Sequence, residues 1–223
     1  MARTRSLRTP AVGTESLQLF GIVAHDPAAP MRLTGLEIVP LRELAAIVRR
    51  EPYERIAATS GAIAEYREIV ETRFREQPVI PAPFGTVFRS RSTLLHWMEL
   101  HYVTLMEGFR FVGDRLMARL RVTALPLPVE GVGETREMMA TDFETTVFDS
   151  FRFLRRSAVA CVTFPPHASP ADRSVEASFL VERAMWGNFR DAVVEEQRRL
   201  RDVAIEQDGP LPPYDFVRLQ FGA

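Results

Sequence analysis

The sequence predicts an α+β protein of two domains with an extended C-terminal tail. Short apolar runs with a period of two, typical of strands, alternate along the chain with longer segments whose apolar residues recur with a helical period. In the second half these segments follow the order β-α-β-β-α-β, which is the order of a ferredoxin-like domain. A chain of 223 residues is also long enough for two small domains.

The first predicted domain spans residues 15–112. It follows residues 1–14, whose small, polar and basic composition predicts a disordered tail. Its predicted elements are, in chain order, strands at 17–24 and 36–39 and helices at 40–51, 60–75 and 92–111. The first helix is predicted because apolar residues recur there at spacings of three and four: Leu41, Leu44, Ile47 and Val48. Residues 78–88 contain three prolines, so we expect an extended or edge segment there rather than a central strand.

The second predicted domain, residues 113–207, begins where the last of these helices ends. Its predicted elements are a strand at 115–125, a helix at 134–156, strands at 158–164 and 175–181, a helix at 186–200 and a short strand at 203–207. The βαβ crossovers of such a domain are expected to be right-handed. Residues 208–223 contain Gly-Pro and Pro-Pro pairs, which bar a helix. We expect this tail to run extended and to pack back on the N-terminal domain.

Charge and composition argue against several classes of function. The formal net charge is −1, which gives no general attraction to nucleic acid or anionic lipid, and the strands at 158–164 and 175–181 offer only Phe164 and Phe179 for base stacking. No stretch approaches the roughly 20 apolar residues of a membrane span. All basic residues are Arg, so a Walker-type phosphate loop with its Lys is excluded. The single cysteine, Cys161, rules out an internal disulfide and suits a reducing cytoplasm.

Residue patterns that would carry catalysis or hold a cofactor are weak. His96 and His101 are five residues apart, which does not place them on one helical face as a metal pair. The segment from Gly131 to Arg136 opens like a dinucleotide fingerprint but lacks the third Gly. The adjacent acids Glu195 and Glu196 lie in an Arg-rich helix and are expected on its solvent face. We therefore expect no enzyme activity, no cofactor and no metal.

Two segments together resemble the gas vesicle F/L family. Residues 78–88 read Pro-Val-Ile-Pro-Ala-Pro-Phe-Gly-Thr-Val-Phe, and residues 209–217 read Gly-Pro-Leu-Pro-Pro-Tyr-Asp-Phe-Val. Both are similar to segments of that family in order, spacing and position, and Leu-Phe-Gly-Ile-Val at residues 19–23 is similar to its first strand. The chain departs from the family pattern at Pro83, Leu211 and Asp215, where the family often has Arg, Trp and Ser.

The resemblance implies an accessory role in gas vesicle assembly, with two α+β domains of which the second has a modified ferredoxin fold. It implies contact with the hydrophobic major shell protein and with other accessory proteins during nucleation or growth of the shell, in the cytoplasm and at the vesicle. The residues of the two segments that we nominate for partner or interdomain contact are Phe84, Gly85, Thr86, Phe88, Gly209, Pro210, Pro212, Pro213, Tyr214 and Phe216.

Two questions stay open at the level of sequence. The two proline-rich segments could form a partner surface, because extended, pre-ordered chain loses little entropy on binding, or they could pack inside the molecule and lock the two domains together. The alternative function is a ferredoxin-like small-molecule-binding regulator or enzyme, which would require a pocket with convergent polar groups.

Overall fold

The chain folds as a mixed α+β protein, as the sequence predicts. The structure is a computed structural model, and it describes residues 16–28, 34–125, 133–169, 172–200, 202–217 and 219. The predicted disordered tail at residues 1–14 lies outside the described residues. Within them the chain forms two compact units: residues up to 68 with 82–102 make one, and residues 69–81 with those from 103 onward make the other.

The helices and strands lie close to their predicted positions in most of the chain. The strands are β1 (Ser16–Ala24), β2 (Glu37–Leu41), β3 (Leu44–Glu51), β4 (Val79–Pro81), β5 (Val87–Phe88), β6 (Arg115–Ala124), β7 (Ala160–Thr163), β8 (His167–Ser169), β9 (Asp172–Glu182) and β10 (Val203–Leu211). The helices are α1 (Ser60–Glu76), α2 (Arg91–Leu100), α3 (Tyr102–Val112), α4 (Gly133–Leu154) and α5 (Trp186–Arg199).

The first sheet is organised around β1. Its strand order is β2-β3-β1-β4, and β5 also pairs with β1. β1 pairs antiparallel with β3 along its whole length, with a bulge between Leu19 and Gly21. Residues of β1 on both faces are buried, including Leu19, Phe20 and Ile22. This double burial explains why β1 reads as an almost continuous apolar run rather than as a strict alternation.

The helix predicted from Pro40 is wrong: this segment is the β2–β3 hairpin. Residues 44–48 are each at most 1% exposed, so β3 is buried on both faces. A short, continuous apolar run fits a helix face and a doubly buried strand equally well, and here the β-branched Ile47 and Val48 favour the strand. Pro40 is accommodated because β2 is an edge strand, where proline is tolerated. Arg42 makes the turn with a φ of 53°.

Smaller differences concern element ends. The single helix predicted at 92–111 is two helices, α2 and α3, because the backbone leaves helical geometry at His101 (φ −100°, ψ 8°). The strand β8 lies where a Pro/Ser loop is predicted, and β10 continues four residues beyond its predicted end at Gln207.

The second sheet has the order β10-β6-β9-β7, with each neighbouring pair antiparallel, and β8 also pairs with β9. One face of this sheet packs against α4 and α5 around an aromatic cluster. The ring of Phe179 in β9 lies 5.8 Å from Phe151 of α4 and 5.3 Å from Phe189 of α5, measured between centroids. All three rings are buried. Aromatic rings at these distances contribute beyond the area that they bury, so this cluster fastens both helices to the sheet.

A buried carboxylate joins α4 to α5. Glu196 is only 4% exposed, although the sequence predicts a solvent-facing position for it. Ser150 Oγ donates a hydrogen bond of 2.5 Å to Glu196, and the Arg199 guanidinium donates through Nη2 at 2.7 Å and Nε at 3.0 Å. Burial by itself would raise the pKa of Glu196, but the hydrogen bonds from Arg199 and Ser150 outweigh it, and this pKa is lowered from its ordinary value. The group is therefore held as a carboxylate.

We expect Glu196→Gln to lower the free energy of unfolding by about 1–2 kcal/mol at pH 7, since the charge-assisted bonds are weakened. Because the folded pKa lies below the ordinary value of 4.5, this contribution is complete above pH 4.5 and is lost as the pH falls through the folded pKa. The difference from wild type should therefore shrink in acid. Urea unfolding at several pH values measures it, with the exposed neighbour Glu195→Gln as the control within about 0.5 kcal/mol of wild type. An equal loss for both variants would contradict the assignment.

Candidate partner-binding segments

The first proline-rich segment is tied to the strand and helix beside it. Ala82 N donates to Phe20 O at 3.0 Å, and the Tyr66 hydroxyl donates to Ala82 O. The Phe84 ring meets the Tyr66 ring edge-on at 5.7 Å. Burial raises the pKa of Tyr66 strongly, which keeps its hydroxyl protonated and able to donate. Phe84 is therefore used inside the first unit.

A tight turn follows at residues 83–86. Thr86 N donates to Pro83 O at 3.2 Å, and Thr86 Oγ1 donates to the same oxygen at 2.7 Å. Gly85 has a φ of 78°, which glycine adopts without the steric cost of a Cβ atom. Thr86 O then accepts from Leu19 N at 2.8 Å, and the buried Phe88 ring lies 5.6 Å from Trp97. The turn thus returns the chain to β1 as β5.

The second proline-rich segment begins near the end of β10 with Gly209, where the backbone lies close to Met117 and Trp186. Gly209 has a φ of 142°, and a Cβ atom there would lie 2.9 Å from Met117 O and 3.0 Å from Trp186 Cη2. Only glycine fits this position, since both the conformation and the space exclude a side chain. The register between β10 and β6 shifts between Asp208 and Leu211, and Pro210 lies within that irregularity.

Beyond β10 the chain makes two turns and is anchored by a carboxylate. Tyr214 N donates to Pro212 O at 2.7 Å, and Phe216 N donates to Pro213 O at 3.2 Å. These turns present Asp215 to the sheet, where it accepts hydrogen bonds from Arg119 and Ser178.

Asp215 Oδ2 lies 2.6 Å from Arg119 Nη2 and 2.6 Å from Ser178 Oγ. Arg119 lies on β6 and Ser178 on β9, and the two residues are cross-strand partners. The Arg119 guanidinium also lies over the Phe164 ring at 5.9 Å. A charged acceptor with two donors is stronger than a neutral hydrogen bond, so this contact fixes the C-terminal segment to the second sheet.

The nominated residues differ in exposure. Among the ten, Phe88, Pro212 and Pro213 are buried, Phe84, Gly85, Thr86, Tyr214 and Phe216 are half-buried, and Gly209 and Pro210 are exposed. Sequence reasoning named Asp215 only as a departure from the family pattern. It missed Arg119 and Ser178, which are 96 and 37 residues away from Asp215 in the chain. No local pattern could have shown that these three residues meet.

The described residues form neither a metal site nor a deep pocket with convergent polar groups for a small ligand. Within them, no group of three or more His, Cys, Asp or Glu side chains could hold a metal ion. An open, shallow depression at the edge of the first sheet is lined by Gly35, Leu36, Glu37, Arg49 and Arg50, and its charged side chains are in ion pairs. Gly131 and Val132, which open the weak dinucleotide pattern, lie outside the described residues. In the part of the chain that the structure describes, no helix is long and apolar enough to cross a membrane.

The two sheets and the helices define a mixed α+β protein, in which the two proline-rich segments make the internal contacts described above. The sequence profile of the gas vesicle synthesis protein GvpL/GvpF family matches residues 17–140 and 130–218, which is nearly the whole chain. The chain belongs to this family. The resemblance inferred from residues 78–88 and 209–217 is thereby confirmed, and membership supports a role in gas vesicle formation. The family is one of gas vesicle proteins and not a known enzyme family.

Solved structures agree in fold. The gas vesicle protein GvpF from Anabaena sp. PCC7120 is similar with a TM-score of 0.77 and 15% sequence identity, over 93% of this chain and 100% of that one. GvpF from Microcystis aeruginosa is similar with a TM-score of 0.70 and 15% identity, over 92% of this chain and 100% of that one. Among curated proteins, none matches the chain by sequence.

We expect Gly209→Ala to lower the free energy of unfolding by at least about 2 kcal/mol, because the new Cβ atom meets the Met117 carbonyl in a conformation unfavourable for alanine. Gly187→Ala is the matched control: no atom lies within 4 Å of the added Cβ, and its helical position should leave stability unchanged or raise it by up to about 1 kcal/mol. Thermal and urea unfolding measure both. Equal stability of the two variants would show that the space at Gly209 is not restrictive.

We expect Asp215→Asn to cost about 1 kcal/mol, because the amide keeps an acceptor oxygen but loses the charge that Arg119 pairs with. Cleavage of the C-terminal segment in limited proteolysis should become faster. The exposed Asp202→Asn serves as the charge-matched control and should leave the cleavage rate at its wild-type value. If Asp215→Asn is cleaved no faster than this control, the ion pair does not hold the segment.

Proposed function

We propose that this chain is an accessory protein of gas vesicle assembly that binds the hydrophobic major shell protein and other accessory proteins during nucleation or growth of the shell. The observation that carries the proposal is the match of the gas vesicle synthesis protein family along residues 17–140 and 130–218. The chain acts as a binding protein and not as an enzyme. Its place of action is the cytoplasm, at the growing vesicle.

The physical need for such a protein lies in the chemistry of the shell subunit. A small, very hydrophobic subunit exposes apolar faces before it is assembled, and exposed apolar faces and unpaired strands aggregate. A partner that covers these faces keeps the subunit available for assembly into the shell. The chain contains no Lys and hence no Walker-type loop, so release of the subunit proceeds without ATP. It is driven by mass action, as the growing shell binds the subunit more tightly.

The second sheet with its two helices acts in this proposal as a ferredoxin-like domain. The strand order β10-β6-β9-β7, with α4 between β6 and β7 and α5 between β9 and β10, supports that interpretation. The two proline-rich segments act mainly as internal fastenings. The contacts of Phe84 with Tyr66 and of Asp215 with Arg119 support this role over that of a partner surface.

Co-production of this chain with the major gas vesicle shell protein of the same organism tests the function. We expect a soluble complex of defined stoichiometry on purification through a tag on this chain, and an insoluble shell protein when it is produced alone. Co-production with an unrelated aggregation-prone protein is the control for non-specific binding to apolar surface. If the folded chain and the shell protein form no complex, or if the control protein is captured equally, the proposed binding function is wrong.

A further inference from the structure

The last turn of α4 directs two apolar side chains into the core and an aromatic and basic group to the surface. Phe151 and Leu154, three residues apart on one helix face, are at most 2% exposed and lie in the core of the second sheet. Phe153, between them in the chain, is 42% exposed, and the Arg156 guanidinium lies over its ring at 5.8 Å. Arg155 is exposed as well. The helix end therefore presents a phenylalanine ring beside two guanidinium groups.

The chain beyond α4 adds an exposed apolar side chain to this group and holds its backbone in place. A short 3₁₀ helix, Arg155–Ser157, is closed by a hydrogen bond of 3.2 Å from Ala158 N to Arg155 O. Val159 N then donates to Leu180 O at 2.7 Å just before β7, and Val159 is 42% exposed. We call Phe153, Arg155, Arg156 and Val159 the Arg–Phe corner. Because its backbone is already bonded to the fold, the corner needs little ordering when a partner binds.

The two arginines of the corner are not neutralised by the fold. The neighbouring Arg152 pairs with Asp149 at 2.8 Å, and Arg199 pairs with Glu196 at 2.7 Å. Among the residues that the structure describes, neither arginine of the corner makes an ion pair with a carboxylate. The corner thus combines uncompensated positive charge with exposed apolar surface.

This combination sets the chemistry of a partner. Carboxylates of a partner would pair with the guanidinium groups, which form directed and often bidentate hydrogen bonds with them. An apolar side chain beside those carboxylates would bury the exposed surface of Phe153 and Val159. The attraction between the Arg156 guanidinium and the Phe153 ring also becomes stronger when water is removed from it. The corner is therefore complementary to an acidic segment that also carries an apolar residue.

Resting on the function proposed above, we propose that the Arg–Phe corner is a docking site for an acidic segment of a partner protein, in which an apolar side chain lies between carboxylates. Charge complementarity commits the site to this occupant. Nucleic acid and anionic membranes are less suitable, because two arginines supply few phosphate contacts and the formal net charge of the chain is −1. Arginine and aromatic side chains are also among those that contribute most at protein interfaces.

A peptide titration of the full-length chain, followed by NMR, tests the site directly. The probe is the synthetic peptide Glu-Glu-Leu-Phe-Glu-Glu, and its matched control has Gln in place of each Glu. We expect the acidic peptide to shift the amide signals of residues 153–159. The amide of Ile205, which donates to Gln197 Oε1 at 2.6 Å on the opposite outer strand β10, should not shift. The glutamine peptide should bind at least about tenfold more weakly, because it has no charge to pair with the arginines.

Two double variants of equal net charge separate the corner from general electrostatics. Arg155→Glu with Arg156→Glu should weaken binding of the acidic peptide by about tenfold or more. Arg110→Glu with Arg190→Glu, at exposed positions on α3 and α5, should leave binding within about twofold of wild type. Circular dichroism and thermal unfolding show whether both variants are folded, and the shifts in the wild-type chain require no variant.

Equal binding of the acidic peptide by the two double variants, or shifts confined to residues outside 153–159, overturns the docking site. Binding of phosphatidylserine vesicles in preference to the peptide also overturns it, because the occupant is then a membrane. The site and the proposed function fail separately. If the peptide does not bind but the shell protein is captured, the site alone is wrong. If the peptide binds at the corner but no shell protein is captured, the proposed function alone is wrong.

Discussion

The second sheet depends on one strand, β9, that is buried on both of its faces. On one side Val175, Ala177 and Phe179 close the core beneath α4 and α5. On the other side Ser178 and Leu180 are also fully buried, so this face needs its own cover and its own hydrogen-bond partners. A serine at such a position requires an acceptor, and Asp215 supplies it. The position of the C-terminal segment therefore follows from β9, a central strand: its second face is buried, and the polar groups on that face need hydrogen-bond partners.

Most of the fold could be predicted because its elements carry strong periodic signals, as in β6 and α5. The helix predicted at Pro40 failed because β3 is buried on both faces, and a continuous apolar run has no period that separates strand from helix. The two family segments could be located in the sequence, but their contacts could not. Asp215 meets Arg119 and Ser178 across long chain separations, and the burial of Glu196 against Ser150 depends on how two distant helices pack.

Among the described residues, arginine supplies the basic side chain of each ion pair that fixes a carboxylate. Arg199 contacts Glu196 through two nitrogen atoms, and Arg119 binds Asp215 while its guanidinium lies over the Phe164 ring. A planar guanidinium can combine a directed hydrogen bond with stacking on an aromatic ring, which an ammonium group does less well. In both contacts the guanidinium supplies hydrogen bonds in a fixed direction to the carboxylate.

The amide of Gln197 has a consequence for how molecules of this kind can associate. Head-to-tail stacking of identical sheets requires two complementary edges on each molecule, because every copy must receive one strand and offer another. Gln197 occupies the backbone groups of Val203 and Ile205 that would form one of these edges, along β10. A second molecule that pairs with this edge must first displace the amide, at the cost of two hydrogen bonds. One side-chain amide thereby opposes polymerisation through this edge of the sheet.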